Sequence, residues 1–408
     1  MSDARHPGLV MTARAGATMF IAFASAYFVS ALLRAITATL APSFSAELGL
    51  SSGDLGLLAG AYFLGFSTAQ LPLGRLLDRV GPRRILLALL AVAVLACTAF
   101  ATATSFVGLL ASRALIGLGV SACLMAPLTA YRHRFTLAAQ LRANSWMLMT
   151  GSLGMVASTL PVQWLLPLLG WRGLFWAAAL ALTVAMALIA WRVPRDDMTD
   201  IAKAADVVSY RSIFAHRYFI RMAPLGFVVY GGMIAVQSLW AGPWLTVVAG
   251  WSAVQAAGGL FAINTAMLLA FLSWGVVIPN LARAGWTTNR LILWGVPLSL
   301  VLLVGAVALG PRAGAVWWAG WCVSCTFVAL SQPAVAQAFP PAAAGRALSA
   351  FNLVIFLGVF CVQWGIGLAI DALVGTGWPR ADAVRAAFGL FAAASALSYG
   401  WFALRRLP

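Results

Sequence analysis

Long apolar stretches alternate with short polar segments along the whole chain. A helix needs about 20 apolar residues to cross the hydrocarbon core of a bilayer, so stretches of this length predict membrane-spanning helices. Twelve such stretches lie at 15–41, 55–74, 84–103, 106–130, 144–167, 173–193, 219–248, 253–279, 290–310, 314–338, 347–371 and 384–404. The sequence therefore predicts an all-α membrane protein with twelve transmembrane helices.

The one long hydrophilic stretch, residues 194–217, separates the first six predicted spans from the last six. Two loop patterns of the first half return at a single spacing in the second. Arg79 and Gly81 recur as Arg283 and Gly285, and Arg142 recurs as Arg346, in each case 204 residues later. We therefore expect two parallel six-helix repeats. The predicted domains are an N-terminal bundle at 1–193, a cytoplasmic central loop at 194–217 and a C-terminal bundle at 218–408.

The composition excludes a soluble protein. Apolar residues make up 62% of the chain and charged residues 9%, with a mean hydropathy of +0.94, whereas soluble domains average about 45–50% and about 25%. The net charge of +16 does not indicate a nucleic-acid partner, because the basic residues punctuate apolar runs. The loops of one side hold 20 Lys and Arg and those of the other side hold four. Cytoplasmic loops carry such an excess, so we expect both termini in the cytoplasm and membrane lipid as a partner.

The loop between the second and third spans reads GRLLDRVGPRR from Gly74 to Arg84. Its glycines permit a tight turn, and one acid, Asp78, stands among four arginines. This loop resembles the signature loop of the major facilitator superfamily (MFS), Gly-x-Leu-x-Asp-Arg-x-Gly-x-Arg-Arg. Two further motifs are similar to those of the family, namely Arg113-x-x-x-Gly117-x-Gly119 in the fourth span and Gly170-Trp171-Arg172 before the sixth.

The resemblance covers the whole chain and implies the twelve-helix MFS fold in a bacterial inner membrane. It implies secondary active or facilitative transport by alternating access, and a gate in which Asp78 meets the N-terminal end of helix 11. The predicted gating residues are Gly74, Asp78, Arg79, Gly81, Arg83 and Arg346. The eighth loop departs from the pattern, because Ala282 stands where the first half has Asp78.

Two arginines, Arg34 and Arg113, lie inside predicted spans, about 10–12 Å from the outer ends at 1.5 Å per residue. No span holds Asp or Glu near its middle. An intramembrane arginine usually faces a wet cavity or a partner. In the family, helices 1, 4, 7 and 10 line the central cavity, which predicts both arginines in the substrate site. The alternative is structural: Arg34 extends toward the outer surface and Arg113 binds backbone carbonyls.

Polar and aromatic residues on other spans complete the predicted cavity, although each could equally join helices to one another. They are Tyr27 on helix 1, Tyr230 and Gln237 on helix 7, Asn264 on helix 8, Gln332 on helix 10 and Asn352 on helix 11. The preferred substrate class is an organic anion or a planar metabolite. No catalytic residue, metal site or cofactor is predicted, and a monomer is expected.

Two other functions stay open. The chain also resembles a proteobacterial MFS branch that includes copper importers and riboflavin transporters. Cys322 and Cys325 share one helical face, but helix 7 has Gln237 four residues after Met233, where the copper importers repeat Met, and helix 8 has no His. Copper import is therefore an alternative of lower rank. The other alternative is a membrane sensor that kept the fold without transporting.

Overall fold

The computed structural model describes residues 13–194 and 209–405, and these are helical with no strand. The helical segments form twelve rod-like units, and we number each unit as one helix even where it is interrupted. Six lie in the first range: helix 1 (Ala13–Leu48), helix 2 (Ser52–Val80), helix 3 (Pro82–Thr102), helix 4 (Phe106–Gly119 and Met125–Arg134), helix 5 (Leu137–Ala157 and 160–169) and helix 6 (171–192). Six lie in the second: helix 7 (Arg217–Val248), helix 8 (Ala253–Arg283), helix 9 (Thr288–Leu309), helix 10 (Ala315–Gln337), helix 11 (Pro341–Gly375) and helix 12 (Arg380–Leu404).

The rods coincide with the predicted spans, so the all-α fold class is confirmed. In the part of the chain that the structure describes, nine helices are long and apolar enough to cross a membrane. Helices 2, 4 and 5 fall outside this group. Helix 4 is interrupted after Gly119, and helices 2 and 5 carry more polar side chains. Helices 2, 4 and 5 nevertheless run alongside the other helices of the bundle, because packing against neighbouring helices compensates for their weaker apolar character.

Glycines with positive φ end helices at matching positions of the two halves. A positive φ is strained for other residues, so such glycines mark turns that the chain requires. Six of the seven such glycines in the described residues fall in pairs 201, 204 and 207 residues apart: Gly49 with Gly250, Gly81 with Gly285, and Gly170 with Gly377. The repeat inferred from the loop motifs therefore has a counterpart in the backbone conformation.

Helices 1 to 6 pack on one another, as do helices 7 to 12, and the two groups meet chiefly along three helix pairs, with a smaller contact between helices 1 and 8. Helix 2 packs on helix 11, helix 1 on helix 7, and helix 5 on helix 8. We call the face where helix 1 begins and helix 12 ends the terminal face, and the opposite one the far face. The predicted domain limits stay predictions, since 195–208, most of the central loop, lie outside the described residues.

Candidate substrate cavity

Arg34 lies among aromatic side chains on the side of helix 1 that approaches helix 7. Its guanidinium lies close to Tyr27 and Tyr62 and is within electrostatic reach of Tyr230. The guanidinium carbon is 5.6 Å from the centre of the Phe66 ring, a cation–π distance. Arg34 is half-buried, and its Nε atom has no hydrogen-bond partner among the described residues. Unused donor capacity is therefore present between the two halves.

No carboxylate lies near the middle of a rod to neutralise this cation. The acids of the described ranges are Glu47, Asp54, Asp78, Asp371 and Asp382, and all five lie at helix ends. Tyrosine hydroxyls and an aromatic face stabilise a guanidinium without cancelling its charge. The Arg34 region therefore keeps a net positive charge where the local dielectric is low, which favours an anionic group.

Arg113 is more enclosed, although its Nε and Nη1 atoms, like Nε of Arg34, have no hydrogen-bond partner among the described residues. It is only 1% exposed and is enclosed by helices 1, 2 and 4. Its Nη2 atom donates to the carbonyl of Leu33 at 2.9 Å and to the hydroxyl of Thr37 at 2.6 Å. Its guanidinium carbon lies 5.0 Å from the centre of the Tyr62 ring. These contacts favour the structural alternative for Arg113, because the side chain binds the backbone of a neighbouring helix inside the first bundle.

A chain of polar side chains in the second group of helices begins at Tyr230, which is within electrostatic reach of Arg34. The hydroxyl of Tyr230 donates to Oε1 of Gln332 at 3.2 Å, and Nε2 of Gln332 donates to Oδ1 of Asn352 at 2.6 Å. All three side chains are half-buried. They connect helices 7, 10 and 11 and keep further donor and acceptor capacity. The chain can therefore bind a polar group of a ligand while it orders the three helices.

Gln237 and Asn264 form a second, fully enclosed pair. Nε2 of Gln237 donates to Oδ1 of Asn264 at 3.0 Å, and Nδ2 of Asn264 donates to the carbonyl of Leu260 at 2.9 Å. Both side chains are buried. Their bonds are made inside the second bundle, so the pair joins helices 7 and 8.

The structure thus brings together Arg34, Tyr27 and Tyr230, with Gln332 and Asn352 next to Tyr230, and it places Arg113 on the Tyr62 ring beside them, while Gln237 and Asn264 form a separate pair. Sequence reasoning missed Tyr62 and Phe66, because helix 2 is not among the helices that line the cavity in the family. The spacing of Tyr62 and Phe66, four residues apart on one helix face, is the signal that could have found them.

The signature loop joins helices 2 and 3 through Gly81, whose φ is 96°. Arg79 is exposed, and Nη2 of Arg83 donates to the carbonyl of Ala190 at 2.6 Å, which ties the loop to helix 6. At the start of helix 11, Gly345 faces open space, since no neighbouring atom lies within 4 Å of the position that a Cβ would take. The predicted contact of the Asp78 side chain lies outside what the structure describes, so the gate stays a prediction.

The two thiols on helix 10 are enclosed. Cys322 and Cys325 are at most 1% exposed. Within the described ranges, no three His, Cys, Asp or Glu side chains come together as a metal site would require.

Comparison with known proteins agrees with this architecture. The family model described as Major Facilitator Superfamily matches residues 23–361. The multidrug resistance protein MdtL of Shigella flexneri serotype 5b (strain 8401) is 31% identical over 150 residues, which cover 34% of this chain and 36% of MdtL. MdtL of Escherichia coli (strain K12 / DH10B) has the same identity and coverage. The match thus spans about a third of the length of these curated relatives.

Solved structures share the fold at low sequence identity. A bacterial homologue of the human lysosomal transporter Spinster, in an inward-facing and unoccupied conformation, has a TM-score of 0.75 and 15% identity, with 97% of each chain covered. The D-xylose-proton symporter has a TM-score of 0.75 and 14% identity, with 96% of this chain and 98% of that chain covered. The nucleoside transporter NupG has a TM-score of 0.74 and 9% identity, with 97% and 100% covered.

Proposed function

The chain belongs to the Major Facilitator Superfamily and is a membrane transporter, and from this premise we propose that it moves a small organic anion or a planar metabolite with an anionic group by alternating access. The observation that carries the proposal is Arg34. Its guanidinium lies between the halves, is half-buried, keeps an unpaired Nε donor and has no carboxylate partner among the described residues. A buried cation of this kind becomes favourable when an anion completes its hydrogen bonds.

The surrounding side chains indicate the form of the ligand. Tyr27 and Phe66, which are 5% and 7% exposed, lie beside Arg34 and would offer ring surface to a planar apolar body, while Tyr62 is fully buried behind them. On the opposite side, Gln332 and Asn352 present amide groups that would bind a neutral polar substituent. The best-fitting ligand therefore has a carboxylate or similar group at one end and a planar polar portion at the other.

Drug export is a second candidate, because the curated relatives are multidrug resistance proteins. An aromatic cavity would also bind amphipathic drugs. The charge of Arg34 favours neutral or anionic compounds over cationic ones, because an unneutralised guanidinium repels a cation beside it. Export of anionic amphipathic compounds is compatible with the site, whereas export of cationic dyes is not.

Other earlier alternatives receive less support. A copper ion would meet an arginine in the cavity, and Cys322 and Cys325 are buried away from it. Two alternatives therefore stay predictions without an observation in their favour: membership of the branch with copper importers and riboflavin transporters, and a sensor role.

For the membrane and orientation, we propose a bacterial inner membrane with the terminal face in the cytoplasm. The 20-to-4 distribution of basic residues supports this orientation.

The test is ligand-induced thermal stabilisation of detergent-purified protein against a panel of aromatic carboxylates, neutral planar metabolites and cationic dyes. A ligand that binds the folded state raises the unfolding temperature by mass action. We expect anionic planar compounds to stabilise the wild type. Arg34→Ala should weaken their binding about 10- to 100-fold, the equivalent of losing one charge-assisted contact. Arg34→Lys should keep part of it, since lysine keeps the charge without the planar fork.

Arg290→Ala is the matched control. Arg290 is exposed at the terminal face, so this substitution removes the same charge outside the cavity. It should bind like the wild type. Equal stabilisation by cationic dyes in the wild type and in Arg34→Ala, with no response to anions in either, would overturn the proposed substrate class and leave the transporter fold unaffected.

A further inference from the structure

Asp371, at the C-terminal end of helix 11, binds the N-terminal end of helix 2 in the other half of the molecule. Its Oδ1 atom accepts the backbone N–H of Ser52 at 2.9 Å, and its Oδ2 atom accepts the N–H of Gly53 at 2.6 Å. These are the first two residues of helix 2. One carboxylate thus closes the contact between the halves at the far face.

The local chemistry explains why this carboxylate binds there. The first N–H groups of a helix have no acceptor within the helix, and they carry the positive end of the helix dipole. Helix 2 caps part of this end itself: the Ser51 hydroxyl accepts the N–H of Asp54, and the Asp54 carboxylate accepts the N–H of Ser51. The N–H groups of Ser52 and Gly53 remain for Asp371.

Glycines let the two helices approach to backbone contact beside Asp371. A Cβ atom built on Gly53 would lie 2.8 Å from Oδ2 of Asp371, and one on Gly56 would lie 2.4 Å from the carbonyl oxygen of Gln363. Real Cβ atoms do not come this close, so Gly56 requires glycine against the backbone of helix 11, and a side chain at residue 53 would displace the Asp371 carboxylate. Toward the terminal face the packing loosens, because a Cβ on Gly74 would be 4.0 Å from Oγ of Ser349. The helix pair is therefore tightest at the far face.

We propose that Asp371 and the N-terminal end of helix 2 form a latch that holds the far face closed and opens in every transport cycle. The latch rests on the alternating-access mechanism proposed above, but not on the nature of the substrate. It joins two helices that belong to different halves, so the halves cannot separate at this face without breaking both hydrogen bonds. Removing the charge of Asp371 should therefore raise the population that is open at the far face.

The experiment measures how fast an impermeant thiol reagent modifies a cysteine in the cavity, Asn352→Cys, because this rate follows even a rare open state. The background is Cys361→Ala, which removes the exposed native thiol among the five cysteines. The reagent is applied to sealed vesicles, without substrate, on the side from which Thr104→Cys in the exposed loop between helices 3 and 4 reacts. Asp371→Asn should raise the rate roughly tenfold, because the charge is lost and the amide has one acceptor oxygen for two backbone N–H groups.

Gly53→Ala gives a second test that keeps the charge. Its methyl group would displace Asp371, so the rate should rise as in Asp371→Asn. Two controls should keep the wild-type rate. Asp382→Asn removes a far-face acid that pairs with Arg385 of its own helix, and Gly365→Ala adds a methyl on helix 11 where open space exists. Wild-type rates in both Asp371→Asn and Gly53→Ala would overturn the latch, whatever the substrate panel shows.

Discussion

The Nη2 atom of Arg113 on helix 4 lies 2.6 Å from the Oγ1 atom of Thr37 on helix 1. Arg34 lies on helix 1 as well, three residues before Thr37, yet its guanidinium faces the other half of the molecule. We therefore expect the two intramembrane arginines to have separate tasks, with Arg113 joining helices within the first bundle and Arg34 providing positive charge at the interface between the halves.

Arg113 should consequently matter for stability more than for ligand binding. Thr37→Val removes the hydroxyl acceptor while it keeps the shape of the side chain, and should cost about 1–2 kcal/mol of folding free energy. Arg113→Ala should cost more, since the bond to Leu33 and the packing on Tyr62 are lost too. Thermal unfolding of the purified protein measures the loss of stability, and ligand titration of the folded protein measures any change in binding.

Arg34→Ala is the comparison for these variants, and the reverse pattern is expected. It should weaken ligand binding and leave the unfolding temperature nearly unchanged. An Arg113→Ala protein that unfolds like the wild type but no longer binds would contradict the division of tasks.

The fold could be predicted from the sequence because a span needs only length and apolar character, and both are local properties. The turn glycines Gly81 and Gly285 were visible in the loop motifs for the same reason. The direction of Arg113 was not visible. Arg34 and Arg113 have the same depth and similar neighbours in sequence, and only the rotation of helix 4 against helix 1 places Thr37 beside Arg113. The contact of Asp371 with helix 2 joins residues 319 apart, which no local pattern indicates.

The amide side chains should separate in the same way. Asn352 belongs to the half-buried chain that begins at Tyr230, and Asn264 is enclosed with Gln237. Asn352→Ala should weaken binding of the planar anion about tenfold, because one ligand hydrogen bond of 1–1.5 kcal/mol is about a factor of ten. Asn264→Ala should leave Gln237 without its partner and lower the unfolding temperature, with little change in affinity. A binding defect in Asn264→Ala equal to that of Asn352→Ala would show that the cavity extends to helix 8.

Topology can be tested on two exposed loops. Thr104 lies between helices 3 and 4 at the far face, and Ala284 lies between helices 8 and 9 at the terminal face. The basic residues concentrate on the terminal face, so we expect an impermeant thiol reagent added to intact cells to modify Thr104→Cys and not Ala284→Cys. Permeabilised cells should show modification of both. Modification of Ala284→Cys alone in intact cells would reverse the orientation.

The last prediction concerns Asp78, at the end of helix 2 opposite to the end that Asp371 binds. Helices 2 and 11 are antiparallel, and Asp371 near the end of helix 11 binds the start of helix 2, so we expect Asp78 near the end of helix 2 to approach the start of helix 11. An acid at a helix N-terminus contributes about 0.3–1 kcal/mol, and the family resemblance implies that Asp78 uses this contact to close the terminal face. Ala282 replaces the acid in the repeat, so no second acid shares the task.

Asp78→Asn should therefore shift the population toward the state that is open at the terminal face, by about fivefold in odds, and slow turnover. Asp371→Asn should shift it the opposite way, and the double variant should return toward the wild type, because the two latches act on one equilibrium. Spin-label distances across each face measure the populations, with Ala138→Cys and Ala284→Cys at the terminal face and Thr104→Cys and Arg312→Cys at the far face. If Asp78→Asn leaves both distributions and the transport rate unchanged, Asp78 does not act as a gate, and the far-face latch stands alone.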